Sequence, residues 1–410
     1  MNAAVFDAHK FHTEPSDPRL GEWLEQFPPA VFSERLYQSI ELMERYSIEL
    51  AIDLSRQLKV VDRLSKWRST DELCRLLTFQ PRFTFALRWI LERLVESGCV
   101  EAHTNRNTRF YRLRYPPWEP DVKRFYEMGL AIDPSNAATL DLLNHAASLY
   151  SAVASNPQSD DHNLLGPQGV PLWLNYFDND NLTYAVNNWV GAALAADHIP
   201  TQRPLRILEL GAGTGSASEI LLQLLAERGL LSGIERYVVT EPNAYFRRCS
   251  QRKLAAAYPH VHLEWAALDL DSAWNTQGIA PGEFDLVYAV NVMHVAKDLL
   301  FSLNEARSAL APNGWLVIGE CVRPYDKQPM YPELMFQILD GFTNVQIDPE
   351  FRPNPGFLTA AQWRRAFSRA GFRNSKVVPD LDRIREIYPH FFTGAICGQH
   401  AATADAGARA

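Results

Sequence analysis

The chain has 410 residues, of which 47% are hydrophobic and 21% are charged, and its formal net charge is −8. This composition is ordinary for a globular protein, and the length leaves room for two or three domains. The acidic balance argues against a general nucleic-acid-binding protein, and no apolar run is long enough to span a bilayer.

The first 150 residues divide into an arm and a helical domain. Residues 1–30 are polar and proline-bearing, which predicts a loose arm, and they lack the pattern of a signal peptide, so we expect a cytoplasmic protein. Residues 31–150 are predicted to be mostly helical, with apolar residues at helical spacing over 33–58 and 83–97. Between these helices another helix starts, with Ser69 or Thr70 as its N-cap.

Two short strand-like stretches, residues 99–103 and 109–113, predict a hairpin after these helices. Helices followed by a hairpin are the outline of a winged helix, a fold that can bind DNA. Arginines are frequent in this region, but Glu92, Glu96 and Glu101 dilute their positive charge. The charge of this region therefore argues against a nucleic-acid partner.

The remaining chain alternates between strands and helices. Residues 151–200 are predicted to form a linker and lid helices, 201–400 a second domain, and 401–410 a disordered tail. Candidate strands are 206–210, 236–240, 261–266, 284–289 and 315–319, and candidate helices are 216–228, 244–258 and 299–310. This alternation predicts an α/β fold with a doubly wound, mostly parallel sheet.

The first of these strands ends in a glycine turn. Residues 207–215 read Ile-Leu-Glu-Leu-Gly-Ala-Gly-Thr-Gly, so Gly211, Gly213 and Gly215 connect an apolar strand to a helix N-terminus, which is typical of a nucleotide or nucleoside site. A dinucleotide fingerprint would need glycine where Ser216 stands, and a Walker loop would need a lysine. The carboxylate of Glu209 suits a cationic ligand and would repel a pyrophosphate.

An acidic residue two positions before G-x-G-x-G resembles the signature of class I S-adenosylmethionine (SAM) methyltransferases. The resemblance implies SAM as cofactor, S-adenosylhomocysteine (SAH) as product, and Glu209 close to the ammonium and sulfonium charges of SAM. Glu241, which ends the second strand, is predicted to accept the ribose hydroxyls. Asp269, or alternatively Asp271, would accept from the adenine amine beside Leu268, and Asn291 would lie near the methionine part of SAM.

Candidate catalytic residues follow the fourth and fifth strands. His294 is the candidate base, because histidine ordinarily titrates near neutral pH, and Glu320 would orient its imidazole. Residues 205–320 also resemble the C-methyltransferase domains of polyketide synthases. In that family a His–Glu pair deprotonates the carbon between two carbonyls of a thioester-linked chain, and this pair maps onto His294 and Glu320.

The helical lid of that family, with its Tyr and Asn residues, is echoed by Tyr176, Tyr184 and Asn187. The N-terminal region instead resembles the winged-helix module of small-molecule O-methyltransferases, which implies a homodimer or a cap over the substrate. No acyltransferase, ketosynthase or carrier segment is recognisable, so the methylated atom stays open. We expect C-methylation of a small-molecule or carrier-tethered acyl substrate; O-methylation of a hydroxyl or carboxylate, and a SAM-sensing DNA-binding regulator, are the alternatives.

The sequence contains no recognisable metal-ligand cluster. Its five cysteines are scattered, odd in number and without a C-x-x-C pair, which favours free thiols and no zinc site. We therefore expect catalysis without a metal ion.

Overall fold

The computed structural model describes residues 18–23, 27, 32–156, 164–200 and 204–401. A short helix lies within the predicted arm, at Pro18–Trp23, whereas most of that arm and the predicted tail after residue 401 lie outside the described residues. In the described part of the chain, no helix has both the length and the apolar character needed to cross a membrane.

Helices predominate up to residue 200, and strands alternate with helices in the chain that follows, as the sequence predicts. The helices are α1 (Pro18–Trp23), α2 (Glu34–Gln57), α3 (Thr70–Leu77), α4 (Thr84–Glu96), α5 (Val122–Ile132), α6 (Ala137–Ser155), α7 (Gly169–Tyr176), α8 (Leu182–Asp197), α9 (Ser216–Glu227), α10 (Ala244–Ala257), α11 (Leu299–Ala309), α12 (Glu333–Phe336), α13 (Asp340–Thr343), α14 (Ala360–Arg369) and α15 (Leu381–Arg385). The strands are β1 (Arg68–Ser69), β2 (Val100–Asn105), β3 (Thr108–Leu113), β4 (Leu205–Leu210), β5 (Ile234–Thr240), β6 (Leu263–Ala266), β7 (Phe284–Val290), β8 (Leu310–Cys321), β9 (Arg373–Val378) and β10 (Thr393–Gln399).

The chain forms two compact units. The described residues of Ser33–Tyr176 and Lys327–Thr343 belong to unit 1, and those of Asp17–Phe32, Phe177–Asp326 and Asn344–Ala410 belong to unit 2. Unit 1 is therefore built from two stretches that are far apart in the sequence.

Unit 1 is mainly helical and carries a small sheet. Its helix α3 begins with a capping box, in which the Ser69 hydroxyl accepts from Glu72 N at 3.2 Å and the Glu72 carboxylate accepts from Ser69 N at 2.9 Å. Ser69 rather than Thr70 is therefore the N-cap. The predicted hairpin is formed by β2 and β3, and β1 pairs with β3 on its other side.

The segment Lys327–Thr343 fills the core of unit 1. Met330 and Leu334 are fully buried. Two side chains of the first stretch hold the segment's backbone: Trp89 Nε1 donates to Met330 O at 3.2 Å, and the Tyr150 hydroxyl donates to Leu334 O at 2.6 Å. The sequence gives no sign of this placement, since the segment lies between elements of unit 2.

Unit 2 contains a seven-stranded sheet with the order β6-β5-β4-β7-β8-β10-β9. The five strands from β6 to β8 pair in parallel, which confirms the predicted doubly wound, mostly parallel sheet. The antiparallel strands β10 and β9 complete it and were not predicted. Their pattern is weak, because β10 contains two glycines and β9 reads Arg-Asn-Ser-Lys before its only apolar residues.

The order of the strands fixes where a ligand can bind in unit 2. Strand β4 is central, and the chain continues from it to β5 on one side and reaches β7 on the other. The crevice at the carboxyl end of β4 is thus the topological switch point, where open α/β sheets bind their ligands. Helix α8 packs closely against this sheet, because a Cβ on Gly191 would lie only 3.4 Å from Gly319 Cα.

Candidate active site

The glycine turn combines two packed positions with one open position. Gly211, Gly213 and Gly215 have φ of +57°, +54° and +85°, a region that favours glycine. A Cβ on Gly211 would lie 2.7 Å from Val292 Cγ2, and one on Gly215 would lie 2.7 Å from Ser250 Oγ. A Cβ on Gly213 would meet nothing within 4 Å, so the backbone of the turn is open at its middle glycine.

Glu209 is enclosed at the end of β4, with 1% of its surface exposed. Its Oε2 accepts from the Ser218 hydroxyl and from the Tyr237 hydroxyl, each at 2.6 Å. Its Oε1 has no hydrogen-bond partner among the residues described. Burial raises the pKa of Glu209 to about 7, although both hydroxyls lower it. The carboxyl thus keeps one oxygen for a further donor.

Glu241 lies directly against the glycine turn. Its Oε2 accepts from Gly213 N at 2.9 Å, and its Oε1 accepts from Asn243 N at 2.8 Å. Burial raises the pKa of Glu241, and the two backbone donors oppose that shift. The structure therefore places Glu241, which is predicted to bind the ribose, in direct contact with the middle glycine of the turn.

The loop after β6 carries the predicted adenine contacts. Leu268 is buried, whereas Asp269 is exposed. Asp269 accepts from the Ser272 hydroxyl at 2.7 Å and from Asp271 N at 3.0 Å, and these donors lower its pKa. Asp271, the alternative adenine contact, accepts from Lys297 N at 2.7 Å and so ties this loop to the chain before α11.

Asn291 connects the ends of β7 and β8. Its φ is +54°, its N–H donates to Gly319 O at 2.8 Å, and its Oδ1 accepts from Cys321 Sγ at 3.6 Å. Asparagine tolerates this left-handed backbone better than most residues. The next residue, Val292, is the one that contacts Gly211, so this loop lies beside the glycine turn.

The predicted pair His294 and Glu320 is hydrogen-bonded. Both side chains are buried, and His294 Nδ1 lies 2.7 Å from Glu320 Oε2. The other carboxylate oxygen accepts from His294 N at 3.3 Å. An ionised carboxylate can only accept, so Nδ1 carries the proton of the neutral imidazole. The ring of Phe357 packs on the imidazole, with 4.7 Å between ring centroids.

Tyr184, on α8, packs its ring against that of Phe177, with 5.4 Å between ring centroids. Burial is the main cause that raises its pKa, and the charges of Cys321, Glu209 and Glu241 raise it further. The Tyr184 hydroxyl therefore keeps its proton at neutral pH.

The other two predicted lid residues lie in different units. Asn187 is on α8 in unit 2, where it is buried and its Oδ1 has no hydrogen-bond partner in the described chain. Tyr176 ends α7 in unit 1, where its ring packs edge-on against that of Trp173, with 5.6 Å between ring centroids.

One residue of this region has no signal in the sequence. Arg352, in the loop before α14, is 0% exposed and donates to His294 O and Ala296 O, each at 2.5 Å. An arginine in a loop belongs to no motif or periodic pattern, so only the folded chain reveals its contact with the His294 backbone. Over the residues covered by the structure, no group of three His, Cys, Asp or Glu side chains could hold a metal ion.

Part of unit 2 matches a known protein family. Residues 208–316 match a family model described as a methyltransferase domain. A highly reducing polyketide synthase of Pyrenophora dematioidea is 32% identical over 176 residues, which make up 43% of this chain and 7% of that protein. The match thus spans a small part of the curated relative.

Two solved structures show the same fold over most of the chain. The CurJ carbon methyltransferase has a TM-score of 0.75 at 24% identity, covering 94% of this chain and 97% of its own. The trans-methyltransferase CalH, in complex with SAH, has a TM-score of 0.56 at 20% identity, covering 88% and 90%. At these identities, the likeness concerns the fold.

Proposed function

We propose that this chain, a SAM-dependent methyltransferase with the class I fold, methylates an acidic carbon, with His294 as the base and Glu320 as its partner. The observation that carries the proposal is the 2.7 Å contact between His294 Nδ1 and Glu320 Oε2. Both residues are buried and follow or end adjacent parallel strands, β7 and β8. Transfer to a carboxylate would need no base, so such a pair favours a substrate that must lose a proton.

The residues around the glycine turn fit SAM. The unpartnered, buried Oε1 of Glu209 suits an ammonium donor, and the open position at Gly213 allows a ligand to approach the backbone. When bound, SAM supplies a methyl group activated by a sulfonium. The residues proposed to hold it are Glu209, Gly211, Gly213, Gly215, Glu241, Leu268, Asp269 and Asn291.

The proposed role of the pair follows from its hydrogen bond. Glu320 accepts from Nδ1–H and thereby presents Nε2 of His294 as the ring nitrogen that takes the proton. The C–H bond of the substrate breaks, its proton goes to Nε2, and its electron pair stays on the carbon and the flanking carbonyls. The imidazolium that forms is stabilised by the Glu320 carboxylate. The carbon is then the nucleophile for the methyl group.

The substrate class is a β-keto acyl thioester, free or tethered to a carrier protein. This choice rests on the name of the relative, a highly reducing polyketide synthase, and on that of the structural neighbour, a carbon methyltransferase. Tyr176, Tyr184 and Asn187 are the proposed substrate or lid residues. Homodimer formation through the N-terminal helical region stays a prediction, which light scattering of the purified chain would test.

The proposal is tested with methyl-deuterated SAM and a short β-keto thioester as substrate. We expect a product that carries the label on the carbon between the carbonyls and keeps it after alkaline hydrolysis. His294→Ala should lower turnover by about 100-fold or more, while SAM affinity, measured by calorimetry, stays within about threefold. His262→Ala removes an exposed imidazole of the same unit and should behave as the unaltered protein.

Two results contradict the proposal. Label lost in alkali identifies a methyl ester and therefore O-methylation. Turnover retained by His294→Ala shows that the reaction needs no base at this position.

A further inference from the structure

The backbone around Arg352 is rigidly held. Arg352 N donates to Asp348 O at 2.8 Å, and Asp348 N donates to Arg352 O at 3.0 Å. The Asp348 carboxylate also accepts from Glu350 N at 2.7 Å inside the same loop. Hydrogen bonds within the loop therefore define the position of the Arg352 backbone independently of the contacts of its guanidinium.

The guanidinium ends on the backbone that carries the candidate base. Nη2 donates to His294 O and Nη1 donates to Ala296 O, which flank the end of the short 3-10 helix Met293–Val295. A planar guanidinium presents two donors in a fixed fork, so two contacts define both the position and the orientation of this short stretch.

The burial of this charge is costly for the fold. Another buried arginine, Arg93 in unit 1, forms ion pairs with Glu44 and Glu96. Arg352 forms no ion pair with any residue that the structure describes, and its Nε has no hydrogen-bond partner there. Burial lowers the pKa of Arg352 to about 10, and the nearby charges of Asp271, Glu320 and Asp298 oppose that shift. It stays charged at neutral pH.

Other residues also hold the imidazole of His294 in place. Phe357 packs on the His294 ring, and Arg323 Nε donates to Phe357 O at 2.9 Å. Arg352 thus contacts the carbonyl of His294 and Phe357 its ring face, while Glu320 contacts both its N–H and its Nδ1 atom. Of these contacts, the one at the His294 carbonyl depends on Arg352.

We propose that Arg352 is a positioning residue that holds the His294 backbone so that the imidazole meets Glu320 in the orientation needed for proton transfer. The inference rests on the proposed function of His294. Misplacement of a base by about 1 Å can cost about 100-fold in rate, whereas cofactor binding depends on other residues.

The test compares matched substitutions at two arginines. Arg352→Lys keeps the charge but replaces the fixed planar fork of the guanidinium by a single ammonium on a flexible stem. Arg385→Lys is the control, because Arg385 also donates to two backbone carbonyls, Phe391 O at 2.8 Å and Val322 O at 2.7 Å, without contacting His294. We expect Arg352→Lys to lower kcat by about 10- to 100-fold, with KM for SAM within about threefold, and Arg385→Lys to stay within about threefold in both.

A spectroscopic readout separates this inference from the proposed function. The hydrogen-bonded Nδ1–H proton of His294, assigned in histidine-labelled protein by its loss in His294→Ala, should shift or broaden in Arg352→Lys but not in Arg385→Lys. This comparison is made without SAM or substrate, so it remains valid even if no C-methylation is found.

An unchanged proton signal together with unchanged kcat in Arg352→Lys overturns the inference and leaves the proposed function intact. If the lysine variant does not fold, Arg352→Gln and Arg385→Gln provide the same comparison, because a neutral amide avoids burying an unpaired ammonium.

Discussion

At the scale of single residues, two buried carboxyl groups at the carboxyl ends of strands β4 and β8 have different partners. Glu320 directs both oxygens to His294, whereas Glu209 accepts from two hydroxyls and leaves one oxygen without a partner in the described chain. For Glu209, the two hydroxyl donors do not offset the effect of burial, which raises the pKa of this carboxyl to about 7. The sequence identifies both glutamates as site residues, but it cannot show that one of them retains its proton close to neutral pH.

The raised pKa of Glu209 makes stability depend on pH. An acid whose pKa rises from 4.5 to about 7 on folding binds more protons in the folded than in the unfolded state between these values. Its contribution to the free energy of unfolding is therefore complete below about pH 4.5 and is lost as the pH rises to about 7. In the absence of SAM, the free energy of unfolding should therefore fall by up to about 3 kcal/mol over this pH range because of Glu209. Glu209→Gln should remove this fall, as measured by urea unfolding at several pH values.

Glu264→Gln is the control for this measurement. The Arg236 side chain lowers the pKa of Glu264, so that carboxyl titrates below pH 4.5. Its loss should leave the decline between pH 4.5 and 7 unchanged. A decline of equal size in Glu209→Gln and in the unaltered protein would show that another group is responsible.

The pairing of His294 with Glu320 was predictable for a physical reason. Both were placed just past neighbouring parallel strands, and the carboxyl ends of such strands meet at one edge of the sheet. Arg352 reaches the same place from a loop about 30 residues after β8. No local sequence pattern indicates that this loop folds back to the end of β7, so the contact of Arg352 with His294 could not be deduced.

At the scale of elements, the three glycines of the turn between β4 and α9 differ in how closely they are packed. Those at 211 and 215 allow close packing against Val292 and Ser250, while Gly213 faces open space and its N–H donates to Glu241. Spacing alone predicted the turn. Which glycine packs and which stays open depends on neighbours that come from other strands and helices.

Gly213→Ala should separate ligand binding from stability. Gly229, at the end of α9, is its match, since it has φ of +70° and likewise has nothing within 4 Å of an added Cβ. Both substitutions should cost about 1–2 kcal/mol of stability, because alanine is strained in this backbone region. Only Gly213→Ala should also weaken SAM binding, by about tenfold or more, as measured by calorimetry.

Equal SAM affinity in the two alanine variants would place the cofactor away from the middle of the turn. A much larger loss of stability in Gly213→Ala would instead indicate that the position is packed rather than open.

Strands β9 and β10 were not predicted, because the residues that stabilise them are distant in the sequence. Strand β10 contains two glycines, and a Cβ on Gly398 would lie 2.6 Å from the Phe367 ring. Glycine is needed there for α14 to approach the sheet, yet glycine in isolation indicates a turn or loop. The parallel strands were recognised because apolar runs alternate with helices, a pattern that needs no knowledge of the partner.

At the scale of the whole molecule, unit 1 depends on a buried polar junction between its two stretches. Glu44 of α2 accepts from Tyr331 N at 3.1 Å and pairs with Arg93 of α4, which also contacts Glu96 at 2.8 Å. Removing one partner of such a pair leaves a buried charge without its full set of contacts.

Glu44→Gln should loosen the segment Lys327–Thr343. Loss of the buried pair should lower the local free energy of opening by about 3 kcal/mol, so the amides of this segment should exchange faster in mass-spectrometric hydrogen exchange. The control is Glu127→Gln on α5, where an exposed pair with Lys123 at 3.8 Å contributes little. Equal protection of the segment in both variants would contradict this role for Glu44.

The segment Lys327–Thr343 also limits how this gene can be divided or recombined. A fragment that stopped before residue 327 would encode α2 to α7 with the Trp89 and Tyr150 donors deprived of their acceptors. A fragment that started at residue 177 would carry Met330 and Leu334 without the helices that bury them. Exchange of the helical unit with another methyltransferase must therefore transfer two separate stretches together, so a single crossover yields a damaged core on both sides.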